Sequence, residues 1–337
     1  MLTPPNLSDD RISECLRDAY GLHIVQSSFL PLGADLNSAS YRVDTRDGTP
    51  YFLKLRRSSF NEVAVTVPAY LHHVRGIPSV VAPLPTLTRR LHMRAHGFHW
   101  ILYPFINGRT GFECAPTDAQ WEALGAALKR VHSSTPPPEL LRQMPRDSCS
   151  PCSRNVVRHL SGHLDRHAGD DSIIRRLSLF WREKHGEIDM IAARADRLCH
   201  VLAGMRSTPV VCHADIHAGN ILLSGDGSLH IVDWDTVVLA PKERDLMFLG
   251  SGVGGIWNTP REVARFYKGY GDTCIDRFAL CYYRYERIVT DIAEICELVL
   301  DVRNCAKDRM EGLRQMVSQF LPNNMVDMAH RTYQRIS

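Results

Sequence analysis

The sequence predicts an α+β fold in two parts, a small antiparallel sheet followed by a larger, mainly helical portion. Three observations carry that expectation. Short β-leaning runs crowd roughly the first hundred residues, a Pro/Gly-punctuated connector follows at 103–108, and apolar patterns of helical period then take over. The expected division is 1–103, a connecting hinge at 104–108, and 109–337.

Each element has a local reason. Ser8 stands where a helix N-cap belongs, Ile12, Cys15, Leu16 and Ala19 recur at helical spacing, and Gly21 follows as a C-terminal glycine. Residues 24–30, 39–43, 51–55, 91–95 and 98–103 read as strands, with Asp47-Gly48 as a turn. Residues 61–74 read as a helix that Pro68 ends or kinks. Thr117 and Gln120 form a capping-box pair ahead of the stripe Trp121, Leu124, Leu128 and Val131. Residues 134–138 are a proline-rich loop, and 149–206 are polar, rich in His and Arg, and helical in parts. Residues 210–216, 221–224 and 229–234 return to strand around a Gly225-Asp226-Gly227 hairpin turn, and helical patterns dominate from Pro260.

Composition narrows the class. Forty Lys and Arg against 37 Asp and Glu give a net charge of +3, too small for a protein driven to nucleic acid by bulk charge. Hydrophobic residues at 44% and charged residues at 23% are ordinary for a globular chain and exclude a disordered one. Ten scattered Cys form no dense disulfide framework. Residues 1–20 carry charges and no apolar run, so no signal peptide is expected, and no stretch approaches the ~18 apolar residues of a membrane span. The expectation is a cytoplasmic protein with neither nucleic acid nor membrane as partner.

The chemistry concentrates between Val210 and Asp235. His213-x-Asp215 is followed by Asn220 five residues after the aspartate, and Asp233 closes an apolar strand. Phosphoryl transfer needs a carboxylate to orient an attacking hydroxyl and take its proton, and oxygen ligands to hold Mg²⁺ on a triphosphate. Asp215 suits the first role, and Asn220 with Asp233 the second. Flanking apolar residues would clamp all three on a rigid hairpin. Reading His213 and His217 as a zinc pair lacks the intervening Glu and a clear third ligand. Cys149-Ser-Pro-Cys152 lacks a second pair, so no redox or zinc role is expected of it.

This combination resembles the catalytic and metal-binding loops of protein-kinase-like enzymes. With His217, Gly219 and Trp234 in their places, it resembles the aminoglycoside phosphotransferase family. Pro241-Lys-Glu-Arg-Asp-Leu-Met-Phe-Leu-Gly, Gly252-Val-Gly-Gly-Ile-Trp-Asn and Tyr282-Tyr-Arg-Tyr-Glu-Arg-Ile-Val-Thr-Asp-Ile-Ala are similar to the spectinomycin phosphotransferase branch in particular. The resemblance implies a bilobal kinase-like fold and Mg²⁺ as cofactor. It also implies ATP, with GTP as the alternative, as co-substrate. His213 would support the catalytic loop. Lys54, on a strand among apolar neighbours, would anchor the triphosphate, with Glu62 as its partner. Ser38 and its loop, which holds Gly33 rather than a full glycine-rich motif, would reach phosphate oxygens through backbone N–H groups. Tyr103 and Phe105 would line the purine pocket, although packing explains both equally.

The acceptor follows from charge. Residues 284–301 hold Glu286, Asp291, Glu294, Glu297 and Asp301 against Arg284 and Arg287, opposite in sign to the whole chain. One reading is a helix with a solvated acidic face. The other is a carboxylate-lined groove for a cationic small molecule, with Asp291 and Glu286 foremost and Trp257 and Tyr285 stacking on ring faces unless they are core. The resemblance points to an antibiotic aminocyclitol, spectinomycin first, as that acceptor. The alternatives are a kinase of an amino-alcohol or sugar metabolite and a nucleotide-binding regulator without turnover.

Overall fold

Ser8 caps the first helix, α1 (Asp9–Tyr20), by accepting the backbone N–H of Arg11, and Gly21 ends it in the left-handed region at φ 70°. The computed structural model describes residues 4–32, 37–57, 60–164, 171–205 and 208–336. Its chain divides into two compact units that interleave in sequence. One comprises Met1–Pro116, Ser134–Met144 and Gly219–Val237, and the other Thr117–Ser133, Pro145–Ala218 and Val238–Ser337.

In the first unit, strands β1 (Ile24–Leu30), β2 (Ser38–Thr45), β3 (Pro50–Arg57), β4 (Met93–Ala95) and β5 (Phe98–Pro104) form an antiparallel sheet in the order β1-β2-β3-β5-β4. The pairings Ala39 with Leu55, Tyr41 with Leu53 and Leu53 with Leu102 place one set of alternate residues on one face. That face packs on Ile12, Cys15 and Leu16 of α1 as a closed hydrophobic core containing Trp100. The alternate set, Ser38, Ser40, Phe52, Lys54, Arg56, Ile101 and Tyr103, necessarily points the other way. The period of two thus separates the core face from the chemical face of one sheet.

Between β3 and β4, α2 (Val63–Ala69) continues past Pro68 into a wider π turn over Tyr70–Val74. The expected break at Pro68 is therefore a change of helical pitch, the usual accommodation where a proline removes one N–H donor. The connector also differs from a bare hinge. Gly108 opens a short strand, β6 (Gly108–Thr110), which pairs with a later hairpin strand. A Cβ at Gly108 would lie 2.8 Å from the Leu223 carbonyl oxygen, so the pairing requires glycine.

In the second unit, α3 (Asp118–His132) starts at the capping box of Thr117 and Gln120. The first unit resumes with α4 (Pro138–Gln143). The polar stretch is two helices, α5 (Cys152–Leu164) and the 32-residue α6 (Ser172–Ala203). The strand expected over 210–216 is only β7 (Val210–Cys212). The hairpin is β8 (Ile221–Ser224) and β9 (Leu229–Ile231), and β10 (Val238–Ala240) pairs with β7. The chain ends in α7 (Glu243–Leu246), α8 (Pro260–Tyr270), α9 (Arg277–Leu300), α10 (Ala306–Gln319) and α11 (Met325–Tyr333). Helices α3 and α8 approach so closely that a Cβ at Gly125 would fall 2.1 Å from the Phe266 carbonyl oxygen. The result is the α+β, kinase-like architecture the sequence predicts. All ten cysteines are free thiols. Among the described residues, no helix is long and apolar enough to cross a membrane.

Candidate active site

The first unit gathers a buried cation and two carboxylates. Lys54 sits mid-strand on the polar face of β3, and its Nζ lies 2.8 Å from Asp233 Oδ1 and 2.7 Å from Asp235 Oδ2. Burial works against the charged ammonium, but Asp233 and then Asp235 outweigh it and hold the Lys54 pKa above its usual value. Arg56, two residues along the same face, also reaches Asp235. Burial pushes the Asp235 carboxyl up, against the pull of Lys54.

Asp233 and Asn220 come from the two ends of one hairpin. The β8–β9 pairing starts at Ile221 and Ile231, and the Val232 N–H donates to the Asn220 carbonyl at 3.0 Å. Asn220 closes a 3₁₀ turn, and its side chain is buried. Asp233 stands in the left-handed region at φ 62°, ψ 69°, which turns its carboxylate out of the strand toward Lys54. An amide oxygen and a carboxylate from adjoining backbone, both hard donors, suit Mg²⁺. The residues present therefore fit that ion.

The lysine partner expected from the sequence is a different residue. Glu62 lies at the start of α2, exposed, with Oε1 3.3 Å from His92 Nε2. Eight residues from Lys54, it falls before the helix has made a turn, and no residue from 63 to 74 is acidic. Asp233 and Asp235 neutralise Lys54 instead. Tyr103, opposite Phe52 in the sheet, shares the Lys54 face, while Phe105 lies under the Arg42 guanidinium. Ser38 begins β2 on that face, opposite Arg56, and is buried. Residues 33–36 of the loop before it lie outside the described residues.

The second unit holds Asp215 by its backbone and by its carboxylate. His213 is fully buried, and its Nδ1 accepts the Asp215 N–H at 3.2 Å. Ala214 between them is left-handed at φ 68°, a conformation that costs an alanine on the order of 1 kcal/mol. The fully buried carboxylate of Asp245 compensates, accepting the N–H groups of His213 at 3.0 Å and Ala214 at 2.6 Å. His132 Nε2 stands 2.9 Å from the same carboxylate, and its Nδ1 2.7 Å from the Tyr270 hydroxyl. The close approach of α3 and α8 brings those two rings together.

The Asp215 carboxylate meets Arg287 of α9, Nη1 to Oδ1 at 2.5 Å, and His217 Nε2 lies 3.4 Å from Oδ2. Burial opposes its ionisation, yet Arg287 and then the histidines outweigh burial and hold the carboxyl far below the usual range. Arg287 in turn forms an ion pair with Asp291, Nε to Oδ1 at 2.7 Å, and Gln319 donates to the other Asp291 oxygen at 3.2 Å.

The expected acceptor residues do not share a groove. Glu286 and Asp291 stand about 140° apart on α9. Glu286 faces α5, where it pairs with the buried Arg154, which also binds Asp196 at 2.7 Å. Trp257 is buried edge-on against Trp121, ring centroids 4.9 Å apart, so its faces serve the core rather than a ligand. Tyr285 is buried with its hydroxyl on Arg194 and His330. Glu294, exposed on α9, is the acidic neighbour whose charge couples to Asp291 and Asp215.

Sequence reasoning passed over Asp235, Asp245 and Arg287. The first had a usable signal, since Asp233 and Asp235 are two residues apart beside an apolar strand. Arg287 and Asp291 obey the i, i+4 rule for helical ion pairs. Asp245 had no local signal, because its partners are backbone groups about thirty residues away and the side chain of His132, farther still.

Comparison with known proteins identifies a family. The family model described as the phosphotransferase enzyme family matches residues 28–281. A crystal structure of spectinomycin phosphotransferase, APH(9)-Ia, in complex with ADP and spectinomycin superposes with a TM-score of 0.90. It is 34% identical over 98% of this chain and 100% of that one. Protein StrN of Streptomyces griseus is 26% identical over 259 residues, 71% of this chain and 74% of its own length. An amicoumacin kinase bound to AMP-PNP and Ca²⁺ shares the fold at a TM-score of 0.63 and 17% identity, over 96% and 97% of the two chains.

Proposed function

The chain belongs to the phosphotransferase enzyme family, a small-molecule kinase of aminoglycoside phosphotransferase type, and we propose that it moves the γ-phosphoryl group of ATP onto a hydroxyl of spectinomycin. One observation carries the choice of acceptor: the likeness, along 98% of the chain and at 34% identity, to a phosphotransferase that holds ADP and spectinomycin. An acceptor bearing amines is positive at neutral pH, and exposed Glu294, whose charge is felt at Asp215, favours a cation there.

The residues divide the work. Lys54 binds triphosphate oxygens, exchanging its carboxylate partners for phosphate. Asn220 and Asp233 would hold Mg²⁺, which neutralises charge on the phosphates when bound. Asp215 orients the acceptor hydroxyl and takes its proton, which passes on to solvent. The hydroxyl oxygen bonds to the γ-phosphorus as the bond to the bridging oxygen breaks, and ADP leaves with that electron pair. In a cytoplasm exposed to the antibiotic, the reaction confers resistance.

The test is a transfer assay of purified protein with ATP and GTP against spectinomycin, other aminocyclitols and aminoglycosides, and small amino alcohols. Spectinomycin should be the best acceptor, and an expressing host should resist it. Transfer only to an amino alcohol, with no resistance, would overturn the reading. Asp215→Ala should lose at least about 10²-fold in turnover while still binding nucleotide.

A further inference from the structure

Asp215, Arg287, Asp291 and Gln319 form one chain of contacts running from the catalytic loop through α9 to α10. Arg287 is mostly buried and lies over the ring of Phe248, guanidinium carbon 5.6 Å from the centroid, and the His217 ring packs against the same phenylalanine at 6.4 Å. Phe248 is itself fully buried. Arg287 therefore rests on an apolar floor, grips Asp215 with one nitrogen and is gripped by Asp291 through another. A guanidinium's planar fork fixes the direction of a carboxylate in a way that a lysine's single ammonium does not.

We propose that Arg287 is the positioning residue of the phosphoryl transfer, aiming the Asp215 carboxylate at the acceptor hydroxyl, and that Asp291 anchors Arg287 rather than binding the acceptor's ammonium. The inference rests on Asp215 being the group that receives the hydroxyl. Two features separate it from a packing role. Arg287 contacts the carboxylate oxygen itself rather than the backbone, which Asp245 and His213 already hold. Asp291 is enclosed by its contacts to Arg287 and Gln319, leaving exposed Glu294 as the α9 carboxylate presented to a cation.

The titratable and charged groups facing Asp215 include His213 and His217 of its own loop and, from α9, Arg287, Asp291 and Glu294. Arg287 is the largest favourable influence on the Asp215 carboxylate. Its loss lets the Asp215 pKa rise, so the acid limb of the turnover profile moves to higher pH.

The experiment compares Arg287→Ala, Arg287→Lys, Asp291→Asn and Asp215→Asn, with Mg²⁺–ATP and spectinomycin as probes. Arg287→Ala should lose about 10²-fold in kcat, the cost of a misaimed group, with ADP affinity unchanged and the acid limb shifted upward. Arg287→Lys should recover part of kcat and return the limb toward its original pH, and added guanidinium should partly rescue Arg287→Ala. Asp291→Asn should lower kcat in the same direction, with the KM for spectinomycin unchanged. A kcat within threefold and an unmoved pH profile in Arg287→Ala would overturn the proposal. So would a raised KM at full kcat in Asp291→Asn, which would return Asp291 to acceptor binding. Full turnover in Asp215→Asn would instead sink the underlying assignment of Asp215, whichever way the Arg287 variants fall.

Discussion

Asp245 Oδ1 lies 2.6 Å from the backbone nitrogen of Ala214, a non-glycine residue held at φ 68° immediately before Asp215. A buried carboxylate so placed offsets the strain of the residue that leads into Asp215, the proposed base. Asp245→Ala removes acceptors from two buried N–H groups and from His132. The expected cost is about 3 kcal/mol in unfolding free energy, together with a fall in kcat. Denaturant titration and steady-state kinetics on the same variant check both. A stable variant with unchanged kcat would show that the loop needs no such clamp.

Asp215 ionises in the folded protein well below the ordinary aspartate range, chiefly through Arg287 once burial is overcome. A depressed folded pKa stabilises the protein above the unfolded value near 3.9 and loses that contribution as pH falls below it. Asp215→Asn should therefore be less stable than wild type at pH 7, by about 2 kcal/mol, and the gap should narrow below about pH 4. Thermal unfolding at the two pH values measures it. A gap that widens in acid would contradict the sign.

Lys54 neutralises Asp233 and Asp235 together. In Lys54→Met the paired carboxylates lose their cation, so Mg²⁺ alone should bind more tightly. Nucleotide should bind more weakly, by about tenfold or more, since a charged hydrogen bond is worth ~1.5–3 kcal/mol. Calorimetric titration with each ligand separates the two effects. For Asp233→Asn, the Mg²⁺ needed for half-maximal turnover should rise; an unchanged requirement would remove Asp233 from the metal site.

Glu286 faces Arg154 in the interior. Glu286→Gln should cost about 1–3 kcal/mol of stability while leaving the KM for the acceptor as it was. A large rise in KM with unchanged stability would restore Glu286 to the acceptor site.

The expectations that hold are those built from neighbours in the chain. Ser8, Gly21, Thr117 and Gln120 act within one turn of helix, and each does what its position predicts. The β-leaning runs at 39–43, 51–55 and 98–103 form strands, as their local composition predicts. The expectations that fail concern partners. Glu62 is near Lys54 in sequence but exposed, and Glu286 is near Asp291 but on another side of α9. Trp257 looks like a stacking platform until Trp121 is found against it.

By itself the sequence determined the sheet-then-helix order, the helix caps, the hairpin at Gly225–Gly227 and the presence of the residue types that phosphoryl transfer needs, because these arise from local periodicity and from side-chain chemistry. Only the tertiary structure decided which charges meet. Lys54 and Asp235 are 181 residues apart, Asp215 and Arg287 72, and Ala214 and Asp245 31. An ion pair depends on a few ångströms of separation and on the water excluded around it. Neither quantity exists until strands and helices have packed.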